Sequence, residues 1–344
     1  MGRILKGILA FLIFVVVAAA LTLKRGDIRY EALEQRYSMA ASKFIDLETD
    51  LKVHYVDIGP RDSQNTILLV HGFAASVHIW TDWLRGLQSG YRVIAVDLPL
   101  HGLTRTPDGW HSDVKSDADF MNTFIDTMKL KDIILVGAGT SGDSAWRYAD
   151  SHRDNVIGLV LVGSTGWEQV ETDIGSDPLR DDLMAQPWLK MLFQHMDMKP
   201  QIENWLTASF ISVDFPSDAM VQRYSDLSRA PGRRRGLLDR LSQPLSPLDA
   251  EELADFTIPT LILHGEKDAV TPPRFASKFR DTIPNSELII YEGVGHMPYL
   301  EIPRRSIEDL RAFLNRVMLP APDSNNQALE SVPTIAPKIE SDTL

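Results

Sequence analysis

Apolar positions along this chain change their spacing from one segment to the next. Residues 44–47 and 51–56 alternate apolar and polar about a Glu-Thr-Asp turn, which predicts an antiparallel hairpin. Six later runs are continuously apolar: 67–70, 93–96, 133–136, 159–162, 261–263 and 288–291. Unbroken runs suit strands of a parallel sheet covered on both faces. Helical spacing lies between them, at 77–87, 113–128, 142–151, 274–282 and 304–317. The alternation predicts a doubly wound, mostly parallel eight-stranded α/β sheet. Reactive groups in such sheets sit beyond the carboxyl ends of the strands.

Three stretches fall outside that rhythm. Residues 166–253 hold no clear strand and are rich in Trp, Met and Leu, including Trp188, Met191, Leu192, Phe193, Met196, Met198, Trp205 and Phe210. They read as a helical cap inserted between core segments 42–165 and 254–318. Met and aromatic residues there form the cap's own core or line a lipophilic pocket. Residues 7–23 are apolar on every face and are bracketed by Arg3, Lys6, Lys24 and Arg25. The expectation is an uncleaved transmembrane anchor over 1–25, with the lipid bilayer as partner and the globular part extracytoplasmic. Ala18-Ala19-Ala20 leaves a cleaved signal peptide as the alternative. Residues 319–344 carry prolines and no apolar period, and read as a disordered tail.

Composition narrows the functions. The net charge is −12 over 344 residues, which argues against a nucleic-acid partner. Arg233-Arg234-Arg235 is the one dense basic spot and reads as a solvated loop. The chain has no cysteine, so thiolate catalysis and cysteine-ligated metals are excluded. His71, His101 and His296 fall near one sheet edge without metal-ligand helical spacing, so no metal is expected. Gly137-Ala138-Gly139 lacks the third glycine and acidic partner of a dinucleotide site, so no cofactor is expected.

The loops after the strands carry the chemistry. His71-Gly72-Phe73 ends one strand, and the turn can leave the Phe73 N–H as an oxyanion donor. Asp97-Leu98-Pro99-Leu100-His101-Gly102 reads as a turn that shapes a loop. Asp268 follows one buried strand and His296 follows the next. Neighbouring strands thus present a carboxylate and an imidazole on one edge. A carboxylate that fixes the tautomer makes such an imidazole a general base.

Over about residues 44–318 the chain resembles the capped, cofactor-independent branch of the α/β-hydrolase family. The resemblance rests on His71-Gly72-Phe73, Asp97-Leu-Pro-x-His-Gly, Ile258-Pro-Thr-Leu-Ile-Leu-x-Gly-x-x-Asp268 and Gly293-x-Gly-His296. It implies a nucleophile–His–acid triad, an oxyanion hole, a helical cap and, in many members, an N-terminal anchor. The implied substrates are small, apolar carbonyl compounds or epoxides, cleaved at ester, amide or carbon–carbon bonds.

The nucleophile departs from this pattern. The family places a serine in a Gly-x-Ser-x-Gly turn after the fifth strand. Here Gly137 stands two positions before, and Trp146 of the Ala-Trp-x-Tyr-Ala helix seven after, the same residue, Gly139. The nucleophile position is therefore vacant. Thr140 would supply the second oxyanion N–H. Ser141 and Thr140 remain candidates for a relocated nucleophile, although Ser141 is two positions along a helix from Gly139 and should face away from His296. Ser144 should lie on the buried helix face. Three readings stay open: a hydrolase with a relocated hydroxyl, a non-hydrolytic enzyme (lyase, isomerase or cofactor-free oxygenase) using the His296–Asp268 dyad alone, and an inactive ligand-binding or scaffold protein.

Overall fold

The structure is a computed structural model that describes residues 24–47, 50–61, 66–167, 194–241, 248 and 250–318. The described residues open with an extended strap and the short helix α1 (Tyr30–Tyr37), then the hairpin β1 (Ser42–Leu47) and β2 (Leu51–Ile58). Next come β3 (Thr66–Val70), a 3-10 turn over Val77–Trp80, α2 (Thr81–Leu87), β4 (Arg92–Val96), α3 (Val114–Thr127), β5 (Ile133–Ala138), α4 (Ser141–Ser151) and β6 (Val156–Val162). Among the described residues, four helices follow: α5 (Lys199–Ser209), α6 (Asp218–Ser228), α7 (Arg233–Leu241) and α8 (Ala250–Ala254). The core then resumes with β7 (Thr260–Gly265), α9 (Arg274–Thr282), β8 (Ser286–Tyr291), α10 (Pro298–Glu301) and α11 (Pro303–Met318).

One eight-stranded sheet runs in the order β1-β2-β4-β3-β5-β6-β7-β8. The hairpin and the β2–β4 pair are antiparallel, and β4 through β8 pair in parallel. Every residue of β3, β5 and β7 is buried, which explains their unbroken apolar runs. One face of the sheet packs against Phe124, Trp146 and Phe279, the other against Trp80, Trp83 and Phe313. α3 begins on a capping box. The Asp113 carboxylate accepts from the Ser116 N–H, and the Ser116 hydroxyl accepts from the Asp113 N–H. The expected helix over 77–87 splits instead into the 3-10 turn and α2.

Two expectations are corrected here. Among the described residues, no helix is long and apolar enough to cross a membrane. The first described helix, α1, has eight residues and carries Glu31, Glu34 and Arg36, so it cannot span a hydrocarbon layer. Against the expected membrane localisation, and the extracytoplasmic placement built on it, stands this finding over the described residues. Residues 1–23 lie outside the described residues, as do the tail from 319 and residues 168–193, with Trp188, Met191, Leu192 and Phe193.

The arginine run is likewise not a solvated loop. It opens α7, and Arg233 and Arg234 are buried while Arg235 is exposed. The Arg233 guanidinium donates to four backbone carbonyls, those of Gly102 (2.7 Å), Leu227 (2.6 Å), His101 (3.1 Å) and Thr104 (3.1 Å). Arg234 donates to the carbonyls of Met196 and Arg25 and to the Asp27 carboxylate. A planar fork with five N–H groups can satisfy several turn carbonyls that would otherwise be buried unbonded. Arg233 therefore fastens α7 to the loop after β4. Beside it, Leu33 of α1 packs on Leu103, Leu227 and Ala230.

Arg233→Ala should lower the unfolding free energy by roughly 3–5 kcal/mol, because it leaves buried carbonyls unsatisfied. Arg233→Lys should recover little of that, since an ammonium cannot reproduce the fork. Urea unfolding midpoints decide the matter, and an unchanged midpoint in the alanine variant would show that α7 is held otherwise.

Candidate active site

The site forms where β5, β7 and β8 end. At the end of β5 the chain turns through Gly139 into α4. Gly139 has φ +54°, a left-handed conformation in which glycine carries no Cβ penalty. Its N–H donates to the Val162 carbonyl at 2.9 Å, and its carbonyl accepts from the N–H groups of Gly142 and Thr165 at 3.1 Å each. The elbow is thus pinned on both sides. A Cβ built on Gly139 would lie 3.6 Å from His296 Nε2 and 3.8 Å from Gly72 Cα, an ordinary contact. The position has room for a side chain and has none.

Asp268 follows β7. Its Oδ1 accepts from the N–H groups of Val270 (2.8 Å) and Thr271 (2.7 Å). Its Oδ2 lies 2.8 Å from His296 Nδ1 and 3.2 Å from His264 Nε2. Burial pushes this carboxyl up, but the adjacent His296 and His264, with their hydrogen bonds, outweigh burial and hold it well below the ordinary carboxylate range. An ionised carboxylate at Nδ1 makes that nitrogen the donor. In the neutral imidazole Nε2 is then the acceptor, and it faces Gly139. No group among the described residues hydrogen-bonds to Nε2.

The histidine is held by distant segments. Its N–H donates to the carbonyl of Ser209 at the end of α5 (2.8 Å). Next to it, the Gly295 N–H donates to Glu301 Oε2 (2.7 Å), while Glu301 Oε1 accepts from Ile211 and Ser212 N–H groups (2.8 and 2.7 Å). Glu301 therefore ties the histidine loop to the chain that follows α5. Neither Ser209 nor Glu301 stood out in the sequence, because these are side-chain and backbone bonds between remote segments.

The hydroxyl candidates separate. Ser141 is 1% exposed, and its hydroxyl donates to the His71 carbonyl at 2.5 Å. The hydrogen of this candidate nucleophile is thus engaged with backbone and not with the imidazole. Ser144 is fully buried. Thr140 does line the cavity, but its Oγ1 accepts the Phe73 N–H at 2.9 Å. The two expected oxyanion residues are thus bonded to each other. Gly72 permits this approach, since a Cβ there would lie 2.9 Å from the Ala138 carbonyl oxygen.

The other histidines near this edge serve the backbone. His71 Nδ1 donates to the Gly72 carbonyl and Nε2 accepts from the Leu98 N–H; burial pulls its pKa down. His101 donates to the Pro99 carbonyl, and burial holds its pKa well below the ordinary value. Asp97 accepts from the Val77 and Leu103 N–H groups and from His54. It shapes the loop, and a Cβ on Gly102 would strike its carboxylate at 1.9 Å.

A cavity of about 310 Å³ opens over Gly139, Thr140 and His296. Trp167, Trp205, Met297 and Tyr299 give it an apolar wall. Among the described residues of the expected set, Trp205 of α5 reaches it. Two charged groups unforeseen in the sequence also line it. Asp143 accepts from Trp146 Nε1 (2.9 Å) and Arg147 Nε (3.0 Å), and Arg240 of α7 stands 3.4 Å from Asp117. Burial raises the Asp143 pKa and pushes Asp117 up to about 7.

Residues 65–303 match the family described as alpha/beta hydrolase fold. The chain is 28% identical over 261 residues to a pimeloyl-[acyl-carrier protein] methyl ester esterase of Neisseria meningitidis serogroup A, covering 75% of this chain and 79% of that protein. It is 26% identical over 271 residues to a 2-hydroxy-6-oxo-2,4-heptadienoate hydrolase of Pseudomonas putida, covering 78% and 93%. An esterase structure from Exiguobacterium antarcticum superposes with a TM-score of 0.66 at 24% identity, covering 79% of this chain and 99% of that one, a likeness of fold.

Asp117 supplies a pH test of this wall. Its folded pKa is raised to about 7, above the unfolded carboxylate value of about 4. The folded state therefore binds the proton more tightly, and this group's stabilising contribution falls as pH rises from the unfolded value toward 7. Asp117→Asn should flatten that slope. Urea unfolding of both proteins at about pH 5 and about pH 8 should show the variant gaining on wild type at the higher pH; parallel slopes would contradict a raised pKa.

Proposed function

This chain belongs to the α/β-hydrolase fold family, and from that membership we propose that it acts by general-base catalysis on a small, largely apolar carbonyl compound without forming a covalent enzyme intermediate. His296 Nε2 removes a proton from the carbon next to the carbonyl, Asp268 stabilises the imidazolium, and the electron pair left behind moves onto the carbonyl oxygen as an enolate. The proton returns from Nε2 at the same or another carbon. That is isomerase-type chemistry on a hydrolase scaffold.

One observation carries this reading. The imidazole nitrogen that would activate a serine faces a glycine with space for a side chain, and the neighbouring Ser141 hydroxyl is bonded elsewhere. The similarity to an esterase and to a 2-hydroxy-6-oxo-2,4-heptadienoate hydrolase supports a carbonyl-containing ligand. The apolar walls support a ligand with little charge next to the reacting carbon. The helices between β6 and β7 act in this reading as a cap, with α5 and α7 contributing Trp205 and Arg240 to the cavity.

Two measurements test it. A fluorophosphonate probe should leave the wild-type protein unlabelled and should label Gly139→Ser, whose new oxygen falls within reach of Nε2. Labelling of wild type at Ser141 or Thr140 would overturn the reading. Small ketones and esters incubated in D2O should exchange hydrogen at the carbon next to the carbonyl, and His296→Ala should slow this by about 100-fold or more.

A further inference from the structure

The oxyanion arrangement has an unusual hydrogen-bond order. The Phe73 peptide N–H, the donor nearest the turn after β3, gives its single hydrogen to Thr140 Oγ1 at 2.9 Å. A ligand oxygen can take that hydrogen only by breaking an existing bond. The Thr140 hydroxyl, by contrast, accepts one hydrogen and still has its own to donate. No acceptor for it occurs among the described residues. Thr140 is half-buried, lines the cavity and directly follows Gly139, the residue facing His296 Nε2.

We propose that the Thr140 side-chain hydroxyl, polarised by the Phe73 N–H behind it, is the group that donates to the ligand's carbonyl oxygen. Phe73 acts one bond removed, as a positioning residue. The inference rests on the general-base reading above and adds the catalytic group that stabilises the enolate. A hydroxyl that accepts a hydrogen bond becomes a stronger donor. Threonine is also stiff at χ1, so Oγ1 stays aimed while the charge develops. The hydroxyl keeps its hydrogen throughout, and the abstracted proton resides on Nε2. The arrangement selects ligands whose reaction places negative charge on one oxygen beside Gly139.

A substituted phenol tests this at equilibrium, because its phenolate mimics an enolate oxygen. With 4-nitrophenol, wild type should bind the coloured phenolate and shift its absorbance. Thr140→Ser, which keeps the hydroxyl, should bind within about threefold of wild type. Thr140→Val and Thr140→Ala, which lack it, should weaken phenolate binding by about tenfold to 100-fold while leaving binding of uncharged nitrobenzene unchanged. Valine or alanine variants that bind phenolate as tightly as wild type would overturn the proposal, since a backbone N–H, that of Thr140 or the released one of Phe73, would then be the true donor. Equal loss of nitrobenzene binding would also overturn it, by showing that only shape had changed. Phenolate binding that needs Thr140, in a protein without His296-dependent exchange, would defeat the general-base reading alone. A wild type that binds no phenolate would defeat both.

Discussion

The Asp268 carboxylate accepts hydrogen bonds on both of its oxygens, and the site's geometry depends on that saturation. Two backbone N–H groups hold Oδ1, and two imidazoles share Oδ2. A buried carboxylate left with one acceptor position empty would be costly to keep ionised. With its oxygens engaged, it has one orientation, and through it the His296 ring has one orientation as well. The direction of Nε2 toward Gly139 follows from bonds made on the far side of the ring.

The same logic joins the core to the helices between β6 and β7. His296 is bonded to the end of α5 through the Ser209 carbonyl, and Glu301 bridges the neighbouring Gly295 to Ile211 and Ser212. Arg233 does the equivalent for α7 and the loop after β4. The His296–Ser209 bond joins backbone to backbone, whereas Glu301 and Arg233 are charged side chains that satisfy backbone groups of segments that have left regular structure. Such bonds add little net stability when formed but are costly to break once buried. The apolar wall and the imidazole are therefore held in register by polar groups. Apolar contacts, being non-directional, would not fix that register.

Sequence pattern reached the parts of this structure that are local. Buried parallel strands read as apolar runs because both faces are covered, as β3, β5 and β7 show. Asp268 and His296 were legible because each follows a strand closely enough for the strand to place it. Gly139 could be located because Gly137 and Trp146 are its near neighbours along the chain. The burial of Arg233 was not legible. Its acceptors at His101, Gly102 and Thr104 lie about 130 positions away, and a basic run looks the same whether its partners are water or carbonyls. Thr140 with Phe73, Glu301 with Ile211, and the Arg240–Asp117 contact were hidden for the same reason. Leu33 was missed because an eight-residue helix with one buried position has no period to detect.

The glycines of the elbow show which absences of side chain packing accounts for. A Cβ on Gly137 would lie 2.5 Å from the Ser141 carbonyl oxygen, and one on Gly142 would lie 1.8 Å from the Ser164 hydroxyl. Those positions are glycine because strand and helix pack too closely for anything else. At Gly139 the nearest atom is 3.6 Å away, so packing makes no such demand. The left-handed backbone does favour glycine there, by about 1–2 kcal/mol over a residue with a Cβ. That gain explains why glycine is tolerated, but it does not explain why the surrounding residues have not closed over the space beside it. Packed interiors ordinarily leave few voids. Here the walls of the opening are pinned by hydrogen bonds, the elbow by Val162 and Thr165, the imidazole by Asp268 and Ser209. An opening kept by its frame and bordered by a basic nitrogen is suited to a reacting atom that arrives with the ligand.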